Sequence, residues 1–243
     1  LLNADNGIST GTGCTVTNCS AYSNSGNGIS TGIGCTVTNC SASRNTITGI
    51  STGIGSTVTN CSAFLNTGSG ISVSSGSTVT SCSSYQNNAN GIIAGEGNTV
   101  SSCTAFDNTG SGISVSPGST VVDCTTRFNI LDGIVCSSQC VILANTCSTN
   151  GRLGNGAGIH ATGGDTRIEG NNCTNAPRGI DVDLAGNIII KNTCSGNATN
   201  WDIVANNVCG PILDRTAPAS AAILGNSAPS SLGSTDPNAN FTY

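Results

Sequence analysis

The sequence predicts an all-β fold, a parallel β-solenoid, on three grounds. A 21-residue period places Gly-Ile pairs at Ile8, Ile29, Ile50, Ile71, Ile92, Ile113 and Ile134. Fixed self-similarity of this kind marks a repeat architecture in which each unit buries its apolar side against the next. The composition lacks what amphipathic helices are built from, with 8% charged residues, 3% aromatics, no Met and 33 Gly in 243 residues. Each unit is also too short for a strand, a helix and a return. It holds three short alternating segments instead, as in Thr15-Val16-Thr17, Cys19-Ser20-Ala21-Tyr22 and Ile29-Ser30-Thr31.

Three strands per coil follow, with Gly and small polar residues turning the corners. Stacking pairs the strands in parallel at roughly 4.8 Å and turns each register into a column. One column holds Val16, Val37, Val58, Val79, Val100 and Val121; a second holds Cys19, Cys40, Cys61, Cys82, Cys103 and Cys124. A third holds Asn3, Asn24, Asn45, Asn66, Asn87, Asn108 and Asn129. After Ile134 the period loosens, and the isoleucine register is read onward at Ile159, Ile180 and Ile203, the cysteine register at Cys147, Cys173 and Cys194. Ten coils at that spacing give a rod about 45 to 50 Å long. The solenoid is assigned to residues 1–209. Residues 210–243, with four of the six prolines and much Ala and Ser, form a tail expected to pack on the rod or cap it.

Units such as Gly34-Cys35-Thr36-Val37-Thr38-Asn39-Cys40-Ser41-Ala42 followed by Gly49-Ile50-Ser51-Thr52 resemble the right-handed parallel β-helix repeat proteins, the pectate-lyase-like superfamily, in a branch of unknown function. The resemblance covers Leu1 to about Cys209 and implies the right-handed coil. It specifies fold strongly and function weakly, because the superfamily includes polysaccharide lyases and hydrolases, phage spikes and adhesins.

Most columns read as packing. Fourteen Cys with one His and no C-x-x-C pair make a zinc site a poor expectation, and the main cysteine column is read as small buried hydrophobes. Cys14 with Cys35, and Cys136 with Cys140, are near enough in register to cross-link. The asparagine column is expected to turn inward and bond side chain to side chain. Tyr22, Phe64, Tyr85 and Phe106 form an outward column, either a platform for sugar rings or a stack of rings on one another, and mutual stacking is preferred. Thr15, Thr17, Thr36, Thr38, Thr57, Thr59, Thr78 and Thr80 make an outward hydroxyl lattice resembling that of ice-binding solenoids, although strand propensity alone explains it.

Chemistry is confined to one region. From residue 6 to residue 95 the only charged side chain is Arg44, whereas Arg152, His160, Asp165, Arg167, Glu169, Arg178, Asp181 and Asp183 cluster late in the chain. His160 and Asp181 share the outward position just after the isoleucine column, which places them on consecutive coils roughly 5 Å apart. Asp183, about 6 to 7 Å from Asp181 along the strand, would complete a pair of glycosidase-like carboxylates. The lyases of the superfamily use acid clusters for calcium with a basic residue as proton acceptor, and Asp181, Asp183 and Arg178 are the nearest match. No family motif is matched residue by residue, and no metal or cofactor is expected.

Twelve acids against seven Lys and Arg, a net charge of −5, argue against nucleic acid as a partner. No stretch approaches the ~18 apolar residues of a membrane span. The composition fits an extracellular or cell-surface protein, and the main expectation is a non-catalytic rod serving as a structural, adhesive or fibre-forming element. Its expected partners are extracellular polysaccharide or further copies stacked end to end through Leu1-Leu2-Asn3 and the tail segments Ala221-Ala222-Ile223-Leu224 and Asn240-Phe241-Thr242-Tyr243. The alternatives are a polysaccharide lyase or glycoside hydrolase acting through His160, Asp181 and Asp183, and an ice-binding protein.

Overall fold

The computed structural model describes residues 5–214 and 236–243 and contains no helix among them. Leu1-Leu2-Asn3 and Ala221–Leu224 lie outside the described residues. Three parallel sheets of ten, ten and eleven strands wrap the core among the described residues. The first runs from Ile8–Thr10 to Thr199–Ile203, the second from Thr15–Thr17 to Val208–Cys209, and the third begins at Ser20–Tyr22. Each coil pairs with the next in register, Ile8 with Ile29, Val16 with Val37 and Ala21 with Ala42.

Most strands are three residues long because left-handed residues interrupt them at fixed places, and the three that end the first sheet have five. Gly34 with φ 65° turns one corner, and Asn39 with φ 53° the next, the residue types that tolerate this region best. Gly49 has a different reason. A Cβ there would lie 2.6 Å from the carbonyl oxygen of Gly70, so the coils stack at this distance only without a side chain.

Alternation sends Ile29, Val37, Cys40 and Ala42 inward, each no more than 3% exposed, and their equivalents form one continuous core. The asparagine column turns inward too. The Asn45 amide nitrogen donates to Asn66 Oδ1 at 2.9 Å, and Asn66 donates to Asn87 at 3.0 Å, down to Asn150. Each Oδ1 also accepts the backbone N–H of the preceding coil, so one amide side chain satisfies backbone that no ladder reaches.

Two registers differ from the sequence expectation in the later coils. Cys147, Cys173 and Cys194 continue the column of Ala105 and Thr126, while the column of Cys124 continues as Asn145, Asn171 and Asn192. Twenty-one residues beyond Cys124 is Asn145, and an amide oxygen takes over the thiol's task of accepting a backbone N–H. Ile180 pairs with Trp201, not Ile203, which faces Val182 instead. The cysteines are all free thiols, most of them buried, and neither Cys14 with Cys35 nor Cys136 with Cys140 is cross-linked.

Asn240–Thr242 inserts as a strand between Thr193–Ser195 and Ile212–Asp214, extending the third sheet and, through Asn192, the column that continues from Cys124. The segment read as a means of joining copies is thus paired within its own chain. No helix among the described residues is long and apolar enough to cross a membrane.

Candidate active site

The outward column of the first sheet begins as Ser9, Ser30 and Ser51 and ends as Val135, His160, Asp181 and Asp202 on adjacent strands. The predicted juxtaposition of His160 and Asp181 is therefore a cross-strand pair. The two meet through His160 Nε2 and Asp181 Oδ2 at 3.6 Å, while Asp183 Oδ2 lies 3.0 Å from the same nitrogen. On the other side of the ring, Nδ1 faces Asp132 Oδ2 at 3.5 Å. Arg178 sits on the same strand as Asp181, with Nη1 2.9 Å from Asp181 Oδ2 and 3.7 Å from Asp202 Oδ2.

Asp181 and Asp183 do not form the open carboxylate pair that their spacing suggests. The Asp181 side chain is 4% exposed beneath His160 and Arg178, whereas the Asp183 side chain is 50% exposed. Burial pushes the Asp181 carboxyl above its ordinary range, against the pull of His160 and Arg178. Its Oδ2 is ion-paired with Arg178 but makes no well-directed hydrogen bond.

His160 is raised to about 9, chiefly by Asp132 and then by Asp183, with burial opposing. Asp183 is the nearer partner, but water screens its half-exposed carboxylate, and the more buried Asp132 holds the proton better. At neutral pH the ring is an imidazolium donating from Nε2 to Asp183 and from Nδ1 to Asp132. His160, Asp181 and Asp183 bring one donor atom each to within 4.8 Å of one another, a set chemically able to hold a divalent cation. Arg178 and the imidazolium bring positive charge to the same carboxylates.

Asp132 and Asp202 escape the sequence reading, although both left a signal. Asp202 lies 21 residues beyond Asp181, in its register. Asp132 occupies the position of Asn6 and Asn90, whose side-chain oxygens accept the backbone N–H one coil on, and its Oδ1 does the same for Ala157 at 2.8 Å.

An open cleft of about 620 Å³ lies at the turn that leads into the Arg178 strand, lined by Thr149, Gly151, Arg152, Asn175, Pro177 and Asn197 and by none of the clustered charges. The four extra residues between Asn150 and Ala157 shape one wall, and Arg152 ties that wall back to Asp107 at 3.2 Å. Arg178 follows Pro177 and donates to the Asn155 carbonyl, so its side chain spans from the cleft to the carboxylates.

The other candidates lie elsewhere. Phe64 and Tyr85 stack with centroids 4.8 Å apart and planes within 1°, each covering a face of the other, and Phe106 meets Phe128 edge-on. Tyr22 is exposed, with Arg44 over its ring. Thr15, Thr36, Thr57 and Thr78 pair in one row of the second sheet and Thr17, Thr38, Thr59 and Thr80 in another, all outward and away from the carboxylates.

Residues 3–130 match the family model described as "Right handed beta helix region". The chain belongs to the right-handed β-helix family. Solved structures agree on the fold. The A-module of mannuronan C-5 epimerase AlgE4 from Azotobacter vinelandii superposes with a TM-score of 0.74 at 18% identity, covering 81% of this chain and 64% of that one. The AlgE6 A-module of the same organism gives 0.73 at 18% identity, over 80% and 62%. Pectate lyase Pel9A gives 0.52 at 18% identity, over 74% and 54%. This chain thus spans less than two thirds of the modules it resembles. No curated protein matches it.

Proposed function

We propose that this right-handed β-helix protein is a polysaccharide-modifying enzyme working outside the cell, with its acid–base chemistry at His160 and Asp183. One observation carries the reading: in a chain with only 8% charged residues, four carboxylates, the single histidine and an arginine meet around the last coils of the first sheet. Structural columns elsewhere in the rod do without such groups, so a rod alone gives no reason to assemble them. Support also comes from the neighbours in fold, two of which are named as mannuronan epimerases and one as a pectate lyase. They favour an enzyme over the non-catalytic rod expected from composition.

In this reading Asp183 is the group that touches substrate, half-exposed at the edge of the cluster and able to take or give a proton. His160 holds a proton at Nε2 beside it and offers positive charge to an oxygen that becomes anionic. Asp132 fixes the ring's orientation from Nδ1, and Asp181 with Arg178 positions it from below. His160→Ala and Asp183→Asn should each lower turnover of a responsive polysaccharide by about 10²- to 10⁴-fold while leaving circular dichroism unchanged. Wild-type turnover surviving in both variants would move the chemistry elsewhere.

A further inference from the structure

We propose that the polymer taken by this site is an uncharged glycan, opened by hydrolysis. The inference rests on the polysaccharide reading and names the substrate class for that same site. A polyuronate brings a carboxylate on every ring and needs cations to receive it. Here Asp132, Asp181, Asp183 and Asp202 outnumber His160 and Arg178, and both cations are already engaged by carboxylates within the cluster. Arg152, the cation on the cleft wall, is paired with Asp107. The remaining described cations are also committed and lie off the site: Arg167 and Lys191 both hold Glu169, Arg44 covers Tyr22, and Arg127 covers Phe128.

The cleft itself is otherwise neutral, offering the hydroxyl of Thr149 and the exposed amide of Asn175, groups suited to sugar hydroxyls. The amides of Asn150 and Asn197 are held in hydrogen bonds between coils. An anionic chain that reaches the cluster meets four carboxylates against two side-chain cations. The substrate class bears on the chemistry. Elimination and epimerisation each remove a ring proton made acidic by a neighbouring carboxylate. An uncharged glycan has no such proton to lose, and hydrolysis remains. The glycosidic C–O bond breaks and a C–O bond to water forms. The leaving oxygen takes the proton held at His160 Nε2, the water gives one to the half-exposed Asp183 carboxylate beside it, and passage of that proton from Asp183 back to the ring restores the site.

Two panels test this, uncharged α- and β-glucans, mannans and xylans against polygalacturonate and polymannuronate, all in EDTA. Binding is read by affinity electrophoresis at low and high salt, and turnover as new reducing ends or as ultraviolet absorbance of unsaturated uronates. The expected result is reducing ends from at least one uncharged polymer, with binding indifferent to salt. Polyuronate binding should be weak and should strengthen as salt screens the repulsion. Asp202→Lys should raise polygalacturonate affinity at low salt by about tenfold. Tighter wild-type binding of a polyuronate than of any uncharged polymer, or polyuronate turnover appearing when calcium replaces EDTA, would overturn the substrate class and leave the polysaccharide reading standing. Failure to bind or alter any polymer of either panel would overturn both.

Discussion

His160 links the proposed chemistry to stability through the carboxylates around it. Its folded value of about 9 lies above the 6.5 of a free imidazole. The ion pairs with Asp132 and Asp183 therefore contribute fully below about pH 6.5 and are lost as pH rises through about 9. Thermal midpoints measured across that window should fall, and His160→Ala should flatten the curve. At the opposite extreme are Thr31 and Thr52, which face the core with buried hydroxyls lacking any partner. Coils further on place Val73 and Ala94 in that column. Thr52→Val keeps the shape and removes an unsatisfied oxygen, so denaturant unfolding should report a gain of about 1 kcal/mol.

Among the elements, the asparagine column adds side-chain hydrogen bonds between coils to those of the backbone ladders. Asn66 accepts the Asn45 backbone N–H at 3.0 Å and its amide at 2.9 Å, and donates to Ala42 at 3.1 Å and Asn87 at 3.0 Å. It is 1% exposed, and no water can replace those partners. Asn66→Ala should cost roughly 2 to 4 kcal/mol by denaturant unfolding, more than a single hydrogen bond, because groups on both neighbouring coils are orphaned together. A cost below that of one exposed hydrogen bond would mean the ladder is dispensable.

For the whole molecule, the last coils differ from the first in what completes them. Asn240 accepts the Asn192 N–H at 2.9 Å, Phe241 donates its backbone N–H to Asn192, and Trp201 donates to Thr242 Oγ1 at 2.8 Å. Deleting residues 236–243 uncovers Thr193–Ser195 as an edge and leaves Trp201 without its acceptor. Hydrogen exchange should then speed up in Asn192–Ile203 with little change in the coils before Ile134, since a solenoid's stability is set by neighbour contacts. Because Asp202 lies in the loosened coil, the same deletion should weaken the candidate site.

The sequence by itself determined the three-sheet solenoid, the inward isoleucine, valine and asparagine columns, and the His160–Asp181 juxtaposition. It could do so because a strict 21-residue period turns a count along the chain into a contact in space, one coil away. Only the tertiary structure decided that Asp181 is buried and Asp183 open, that Asp132 reaches His160 from the preceding turn, and that Cys147 sits in the alanine column. The residues between Asn150 and Ala157 break the count, and which face of a ring a carboxylate meets depends on side-chain paths across coils. Residue type misled where position would have served: Cys147 was matched to Cys124 by kind, whereas parallel register pairs it with Thr126. A backbone repeat fixes which residues are neighbours, but the direction and burial of a charged side chain are settled by the groups packed around it, and those come from three coils at once.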